Sequence, residues 1–211
     1  MINKDIRNLK KNDLLNWLRN EAGVSHPTLF GPNLFVGGLE LQQVPKEYAE
    51  LLYLLKENNT RTYLNIGIGK GGSFITESYI QEDLDLCVAV DNSSYWHSHQ
   101  KDKIIENINW LENNIKAKVE FYDADSTLFL KSCKQKFDVI FIDGDHSYDG
   151  VYSDYINSLP LLDDNGLIIF HDINSHECPG VVKLWNEIKN KNCIEFIYSV
   201  QCGIGVFKAI K

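Results

Sequence analysis

The stretch Tyr63-Leu-Asn-Ile-Gly-Ile-Gly-Lys-Gly-Gly-Ser73 decides the fold of this chain. Its apolar beginning is typical of a short strand, and its glycines are typical of a tight turn. A hydroxyl residue, Ser73, follows where a helix can begin. Such a turn lets the backbone approach a ligand closely, and a helix N-terminus favours negative charge and hydrogen-bond acceptors. The stretch therefore predicts a strand–turn–helix unit that holds a nucleotide-like cofactor.

Short apolar runs alternate with helical segments beyond this unit. Runs such as Val139-Ile-Phe-Ile142 and Leu167-Ile-Ile-Phe170 are apolar without alternation, which is typical of strands covered on both faces of a parallel sheet. The predicted strands span 62–66, 86–90, 118–122, 137–142 and 166–171. The predicted helices span about 73–80, 100–115, 126–134, 149–162 and 179–190. This alternation predicts an α/β fold with a doubly wound, Rossmann-like sheet.

The C-terminal part of the chain has a different pattern. Residues 194–200 and 206–210 read as two strands, and the segment Gln201-Cys-Gly-Ile-Gly205 between them contains two glycines. We therefore expect an antiparallel hairpin that closes an otherwise parallel sheet.

The N-terminal part has the pattern of a helical cap. Apolar residues over 3–20 have roughly helical spacing, residues 23–44 are loop-like, and Pro45 is suited to the first turn of a second helix. We expect two parts, an N-terminal helical extension over 1–60 and a cofactor-binding domain over 61–211.

Composition limits the classes of function. The formal net charge of −8 and the scattered basic residues argue against a nucleic-acid partner. The five cysteines are odd in number and form no CxxC pair, so we expect reduced, mostly buried thiols rather than a disulfide frame or a zinc site. We find no signal peptide and no apolar run near the roughly 20 residues that cross a bilayer, so we expect a cytoplasmic protein without a membrane partner.

The glycine turn fits more than one nucleotide cofactor. Gly67, Gly69 and Gly72 satisfy G-x-G-x-x-G, and Asp91 ends the second predicted strand. A carboxylate at that place accepts hydrogen bonds from ribose hydroxyls, which both NAD and S-adenosylmethionine carry. An NAD(P)-linked oxidoreductase or epimerase therefore stays open on these residues alone.

Three features favour S-adenosylmethionine. Only about 150 residues follow the start of the first strand, which leaves no room for the usual substrate domain of a dehydrogenase. The terminal hairpin is foreign to the ordinary dinucleotide sheet. Polar clusters, Asp143-Gly-Asp-His-Ser-Tyr148 and His171-Asp172, follow the fourth and fifth strands, where open α/β sheets bind ligands.

Residues 61–211 resemble the class I S-adenosylmethionine-dependent methyltransferases. They are most similar to the small-molecule O-methyltransferase branch that includes macrocin-type sugar methyltransferases and cephalosporin-hydroxylase-like proteins. The resemblance is carried by Phe137-Asp-Val-Ile-Phe-Ile-Asp-Gly-Asp-His-Ser-Tyr-Asp-Gly-Val151, Leu159-Pro-Leu-Leu-Asp-Asp-Asn-Gly-Leu-Ile-Ile-Phe-His-Asp-Ile173 and Pro179-Gly-Val-Val-Lys-Leu-Trp185. It implies the strand order 3-2-1-4-5-7-6 and methylation of an oxygen on a small molecule, such as a sugar or phenolic hydroxyl.

The resemblance also assigns the cofactor contacts. It implies that three glycines shape the loop around the methionine part, that a serine binds its carboxylate, and that acidic and hydroxyl residues hold the ribose, the adenine and the sulfonium end. In that order these residues are Gly67, Gly69 and Gly71, then Ser73, Asp91, Asp125 with Ser126, and Asp143. Asn65 stands where the family usually carries an acidic residue, so its amide loses charge attraction to the cofactor's ammonium group. That loss is the one feature that favours a non-catalytic cofactor-binding module.

His146 is the predicted catalytic base, with Asp145 beside it. Its unperturbed pKa of ~6.5 lets an imidazole accept a proton at neutral pH. The alternative is a surface histidine that bonds a neighbouring carboxylate, Asp145 or Asp149. His176 and Cys178, in the loop after the fifth strand, either line an acceptor pocket or are plain loop residues.

A divalent cation, Mg²⁺ or Mn²⁺, is a further expectation. The predicted ligands are Asp143, His171 and Asp172, and the imidazole is a less natural ligand for Mg²⁺. The alternative is that His171 and Asp172 only orient their loop. We expect a small-molecule acceptor as partner, and the N-terminal arm offers a surface for a homo-oligomer.

Overall fold

The computed structural model describes residues 2, 4–22, 41–92 and 100–208. Its centre is one seven-stranded sheet with the order β3-β2-β1-β4-β5-β7-β6, which confirms the predicted fold and order. The strands are β1 Thr62–Ile66, β2 Leu86–Asp91, β3 Lys118–Asp123, β4 Phe137–Ile142, β5 Leu162–His171, β6 Ile194–Phe196 and β7 Ile204–Lys208. β1 to β5 run parallel to one another, whereas β7 is antiparallel to both of its neighbours.

Helices cover both faces of this sheet. Their bounds are α1 Lys11–Trp17, α2 Pro45–Glu57, α3 Gly72–Ile80, α4 Gln100–Glu112, α5 Ser126–Ser132, α6 Tyr148–Ser158 and α7 Pro179–Ile188. A π-helical turn, Leu18–Ala22, continues α1, and a 3₁₀ turn, Leu159–Leu161, continues α6. None of the described helices is long and apolar enough to span a membrane.

The strand register places the polar clusters at one edge of the sheet. Ile66 pairs with Val90 and with Ile142, and Ile142 pairs in turn with Phe170. The residues that follow these four positions, namely Gly67, Asp91, Asp143 and His171, therefore emerge side by side. The carboxyl ends of parallel strands are where such sheets bind ligands.

The C-terminal hairpin is shorter in its first strand than the sequence predicts. β6 ends at Phe196 rather than at Val200, and seven residues connect it to β7. The reason is a tertiary contact: buried Glu47 of α2 accepts backbone hydrogen bonds from Tyr198 at 2.7 Å, Ser199 at 2.9 Å and Gly203 at 2.9 Å. These amides are therefore bound to a helix and not to a neighbouring strand.

The N-terminal helices pack directly on the sheet. Trp17 and Leu52 belong to one cluster of buried side chains with Val139, Phe141 and Ile169 of the central strands. The division of the chain at residue 60 stays a prediction. The loop expected over 23–44 is described only from residue 41.

Candidate functional site

The glycine turn after β1 lies directly against the end of β4. Gly67 has a φ of +83°, and a Cβ built on it would lie 2.1 Å from the carbonyl oxygen of Asp143. The Asp143 N–H in turn donates to the Ile66 carbonyl at 2.8 Å. Only glycine permits this approach, because any side chain would overlap with the backbone of the neighbouring loop.

Asp91 faces the same turn from the end of β2. Its Oδ2 accepts a hydrogen bond from the Gly69 N–H at 2.8 Å. Burial raises the pKa of Asp91, and the hydrogen bond from Gly69 opposes that rise. No atom of the described residues lies within 4 Å of a Cβ built on Gly69, so that part of the structure leaves the turn open on this side. The predicted ribose carboxylate therefore borders the glycine turn and an open space.

The helix after the turn begins as the sequence predicts. Gly71 caps α3 with a left-handed φ of +89°, and the helix starts at Gly72 with Ser73 in its first turn. The Tyr48 hydroxyl of α2 donates to the Ser73 carbonyl at 3.3 Å. The first turn of α3 is thereby fixed beside the crevice.

Asn65 is hydrogen-bonded within the protein, and its contact with the cofactor stays a prediction. Its side chain is fully buried, and its Nδ2 donates to the Tyr63 hydroxyl at 3.0 Å and to Glu77 Oε2 at 2.8 Å. The Tyr63 hydroxyl donates to the same oxygen at 2.5 Å. The family usually carries an acidic residue at the position of Asn65. In this chain the nearby carboxylate belongs to Glu77 of α3, and the Asn65 amide donates a hydrogen bond to it.

Glu77 predicts a pH dependence of stability. Burial raises the pKa of Glu77 from about 4.5 to about 7, against the lowering effect of the Tyr63 and Tyr48 hydroxyls. The unfolded chain releases this proton near pH 4.5 and the folded chain near pH 7. The free energy of unfolding therefore falls by about 3 kcal/mol as the pH rises from 4.5 to 7. We expect Glu77→Gln to remove this loss in urea titrations at several pH values. Exposed Glu57→Gln is the matched control, and parallel curves for wild type and Glu77→Gln would contradict the prediction.

The two residues predicted to contact adenine make hydrogen bonds within the protein. Asp125 caps α5 by accepting the Leu128 N–H at 2.9 Å, and the Ser126 hydroxyl donates to Asp154 of α6 at 2.7 Å. Burial raises the pKa of Asp154 to about 6. The contact of Asp125 and Ser126 with adenine stays a prediction. Residues 93–99, which follow β2 in the sequence, lie outside the described residues.

Four ionisable groups form a ring at the ends of β4 and β5. Asp143 Oδ1 lies 3.3 Å from His146 Nε2 and 3.4 Å from His171 Nδ1. Asp172 Oδ2 lies 3.4 Å from His171 Nδ1 and 3.8 Å from His146 Nε2. Acidic and basic groups therefore alternate around the ring. The structure brings together all three predicted metal ligands and the predicted base.

The ring shifts the pKa of each member toward its charged form. Burial acts to raise the pKa of Asp143 and Asp172, yet the neighbouring histidines hold both below the usual range. Burial acts to lower the pKa of His171, but the two carboxylates raise it well above its ordinary value. The hydrogen bond to Asp143 raises the pKa of His146 to about 11. This corrects the expectation of a neutral imidazole, because the ring as it stands holds His146 protonated at pH 7.

Asp145 is not a member of this ring. Its Oδ1 accepts the Ser147 N–H at 2.8 Å, and its carboxyl group packs over Gly150 at the start of α6. His146 thus contacts Asp143 and not Asp145, whose carboxylate is engaged by the turn into α6, and the catalytic role of Asp145 stays a prediction.

Two buried thiols adjoin the ring, and sequence reasoning missed their position. Cys178 Sγ lies 3.3 Å from His146 Nδ1 and 3.4 Å from Asp172 Oδ2. Cys202 approaches Asp172 from the hairpin, and its ligand atom lies within 4.8 Å of those of His171 and Asp172. Asp172 has a φ of +62°, a backbone conformation that is uncommon outside glycine and is found at functional sites.

The comparisons with known proteins agree with this geometry. A sequence-family model described as "Methyltransferase domain" matches residues 64–173, which are 110 of the 211 residues and run from β1 to just past β5. The chain belongs to this methyltransferase family. It is an S-adenosylmethionine-dependent methyltransferase. No curated protein sequence is significantly similar to the chain.

Solved methyltransferases share the fold of this methyltransferase at low sequence identity. The N-methyltransferase NodS of Bradyrhizobium japonicum, solved with S-adenosyl-L-homocysteine, is 13% identical with a TM-score of 0.58 over 79% of this chain and 88% of that chain. The Podospora anserina methyltransferase PaMTH1, also solved with that compound, is 15% identical with a TM-score of 0.61 over 93% and 86%. The O-methyltransferase TomG of Streptomyces achromogenes, solved with S-adenosylmethionine, is 15% identical with a TM-score of 0.55 over 78% and 80%. These neighbours support the class I fold and leave the macrocin-type branch as a prediction.

Proposed function

We propose that this methyltransferase transfers the methyl group of S-adenosylmethionine to an oxygen of a small molecule. The observation that carries the proposal is the position of Asp91, whose carboxylate borders the open side of the glycine turn. A ribose in that space would donate its two hydroxyls to Asp91. The amino-acid end of the cofactor would then lie along the turn toward Ser73, and its sulfonium near Asp143.

Titration with S-adenosylhomocysteine tests the cofactor half of this proposal. We expect heat on binding in isothermal titration calorimetry and a rise in melting temperature, because a ligand of the native state stabilises it. Binding of NADH without binding of S-adenosylhomocysteine would favour the oxidoreductase instead. The absence of both would remove the proposed cofactor.

The acceptor is proposed to lie above the ring at the ends of β4 and β5. In-line displacement needs the acceptor oxygen aligned with the S–CH₃ bond, and often needs its proton removed. The His146 side chain is 40% exposed, against 19% for Asp143 and 12% for Asp172, so its ring is the member best placed to touch an acceptor. His146 can accept a proton only after it has lost its own. The positive sulfonium beside Asp143 would favour that loss, because it weakens the attraction that keeps the imidazole protonated.

Replacement of His146 by alanine is expected to lower turnover by roughly 10²–10⁴-fold, the usual contribution of general acid–base catalysis. The affinity for S-adenosylhomocysteine should stay unchanged, since His146 is not one of the proposed cofactor contacts. Steady-state methyl transfer and calorimetry measure the two effects separately. His176→Ala is the matched control, because the His176 side chain is 59% exposed and pairs with Glu177 outside the ring of four groups. Full turnover in His146→Ala would end the proposed role.

Magnesium does not fit the donors at this site. Mg²⁺ takes oxygen ligands in near-ideal octahedral geometry. Asp143 Oδ1 and Asp172 Oδ2 each lie 3.4 Å from the nitrogen His171 Nδ1. The sulfur of Cys178 lies 3.4 Å from Asp172 Oδ2, so nitrogen and sulfur donors surround the two oxygens. The proposed methyl transfer therefore does not involve Mg²⁺.

A further inference from the structure

The donors around Asp172 are of a kind that binds a softer cation. One ring nitrogen of His146, Cys178 Sγ and one carboxylate oxygen of Asp172 form a nitrogen–sulfur–oxygen set whose ligand atoms lie within 4.8 Å of one another. Imidazole and thiolate select zinc, cobalt and iron over magnesium. We propose that His146, Asp172 and Cys178 form a site for one such divalent cation, with Zn²⁺ as its representative.

The two spacings that involve Cys178 fit a tetrahedral site. With a Zn–S bond of about 2.3 Å and Zn–N and Zn–O bonds of about 2.0–2.2 Å, neighbouring ligand atoms of a tetrahedron lie about 3.3–3.6 Å apart. Cys178 Sγ lies 3.3 Å from His146 Nδ1 and 3.4 Å from Asp172 Oδ2. A cation can therefore enter between these atoms with small movements of the side chains.

Asp143 holds the imidazole in the orientation that such a site needs. Its Oδ1 lies 3.3 Å from His146 Nε2, the nitrogen that does not face Cys178. A hydrogen bond from Nε2–H to this carboxylate leaves Nδ1 as the nitrogen for a cation, which binds there in exchange for the proton that His146 carries without it, and that proton is released to water. Ligand histidines are commonly fixed by a carboxylate in this way.

The exposure of the three side chains leaves a fourth position toward the crevice. His146 is 40% exposed, whereas Asp172 and Cys178 are buried. Three protein ligands and one open position are the arrangement of catalytic zinc sites. The second group of donors, His171, Asp172 and Cys202, is buried throughout, and His171 Nδ1 already contacts both carboxylates. We therefore place the cation on the Cys178 side of Asp172.

This site changes the part that His146 plays. With a cation on Nδ1 and Asp143 on Nε2, the ring has no nitrogen left to accept a proton. Ionisation of the acceptor hydroxyl then falls to the cation as Lewis acid. This consequence rests on the proposed function, whereas cation binding itself does not.

Cobalt spectroscopy of the full chain tests the site. Protein stripped of metal with a chelator is titrated with Co²⁺ without oxygen, and the absorbance is read for a thiolate-to-cobalt charge-transfer band and for tetrahedral d–d bands. We expect both to appear at one equivalent and to disappear on addition of Zn²⁺ but not of Mg²⁺. Cys178→Ser should remove the charge-transfer band. Asp143→Asn should weaken Co²⁺ binding by roughly 10–100-fold, since it removes the carboxylate that orients His146.

Matched variants decide between the outcomes. Cys133→Ser, which changes a half-buried thiol outside both donor groups, should keep the band, and circular dichroism should show that each variant is folded. No band in the wild type, a band that survives Cys178→Ser, or one lost only in Cys202→Ser would overturn the assignment. Binding of S-adenosylhomocysteine, measured on the same stripped protein, is read independently. A missing cobalt band with intact cofactor binding refutes this site alone, and the reverse result refutes the proposed cofactor alone.

Discussion

Replacing Asp91 with alanine is expected to weaken S-adenosylhomocysteine binding by roughly 100-fold. Hydrogen bonds to a charged acceptor contribute about 1.5–3 kcal/mol each, and each 1.4 kcal/mol is a factor of ten in affinity. Two ribose hydroxyls that donate to Asp91 would therefore contribute at least about 3 kcal/mol. Calorimetric titration of the wild type and of Asp91→Ala measures the difference directly.

The control for this change lies at the other end of the same strand. Asp85 immediately precedes β2, is 67% exposed and pairs with Arg61 at 3.2 Å, so Asp85→Ala alters the same charge far from the crevice. Its affinity should equal that of the wild type. Asp91→Asn, which can still accept from the Gly69 N–H, should fall between the two. Equal affinity of Asp91→Ala and Asp85→Ala would show that the ribose is not held here.

The central strands were predictable because their residues are constrained on both faces. Runs such as 139–142 have no polar side, so they fit only a strand between two layers, and the register of parallel neighbours then aligns their ends. That alignment is why Gly67, Asp91 and Asp143 meet. The position of the candidate cofactor crevice thus follows from these local patterns together with the strand order that the family resemblance implies.

Contacts between distant segments were not predictable in the same way. The hairpin's first strand ends early because Glu47 binds amides about 150 residues further along the chain. β5 begins at Leu162, four residues before its predicted start, and Asn165 takes a positive φ of 61° within it. No local pattern of apolar residues records either event.

The membership of the ring was predictable except for Asp145, which lies outside it, whereas the charges of its members were not predictable. Spacing after β4 and β5 indicates that Asp143, His146 and Asp172 converge. The pKa of His146 depends instead on a distance of 3.3 Å to Asp143, which the sequence does not contain. Cys178 joins the ring only because the loop after β5 returns over it. The hydrogen bond between Asn65 and Glu77 was only weakly indicated by the sequence, through an acidic residue among the apolar positions of α3.

Gly67→Ala is expected to destabilise the fold by more than about 4 kcal/mol. The added Cβ would lie 2.1 Å from the carbonyl oxygen of Asp143 and 2.6 Å from Gly144 Cα, and both are backbone atoms that cannot rotate away. The ends of β1 and β4 would have to separate, which breaks the 2.8 Å hydrogen bond between Asp143 and Ile66. Single changes of this size are rare and come from such overlaps.

Comparison with Gly69→Ala, in the same turn, distinguishes the cost of this steric overlap from the cost of a left-handed backbone conformation. Gly69 also has a positive φ, of 53°, but a Cβ there meets no atom of the described chain within 4 Å, so its cost is that of the left-handed conformation, roughly 1–2 kcal/mol. Urea denaturation of both variants measures the difference in unfolding free energy. If the two glycines cost the same, the turn is free to move away from β4. The glycine turn would then have no fixed position between Asp91 and Asp143, and it could not guide one cofactor from its sugar to its sulfonium.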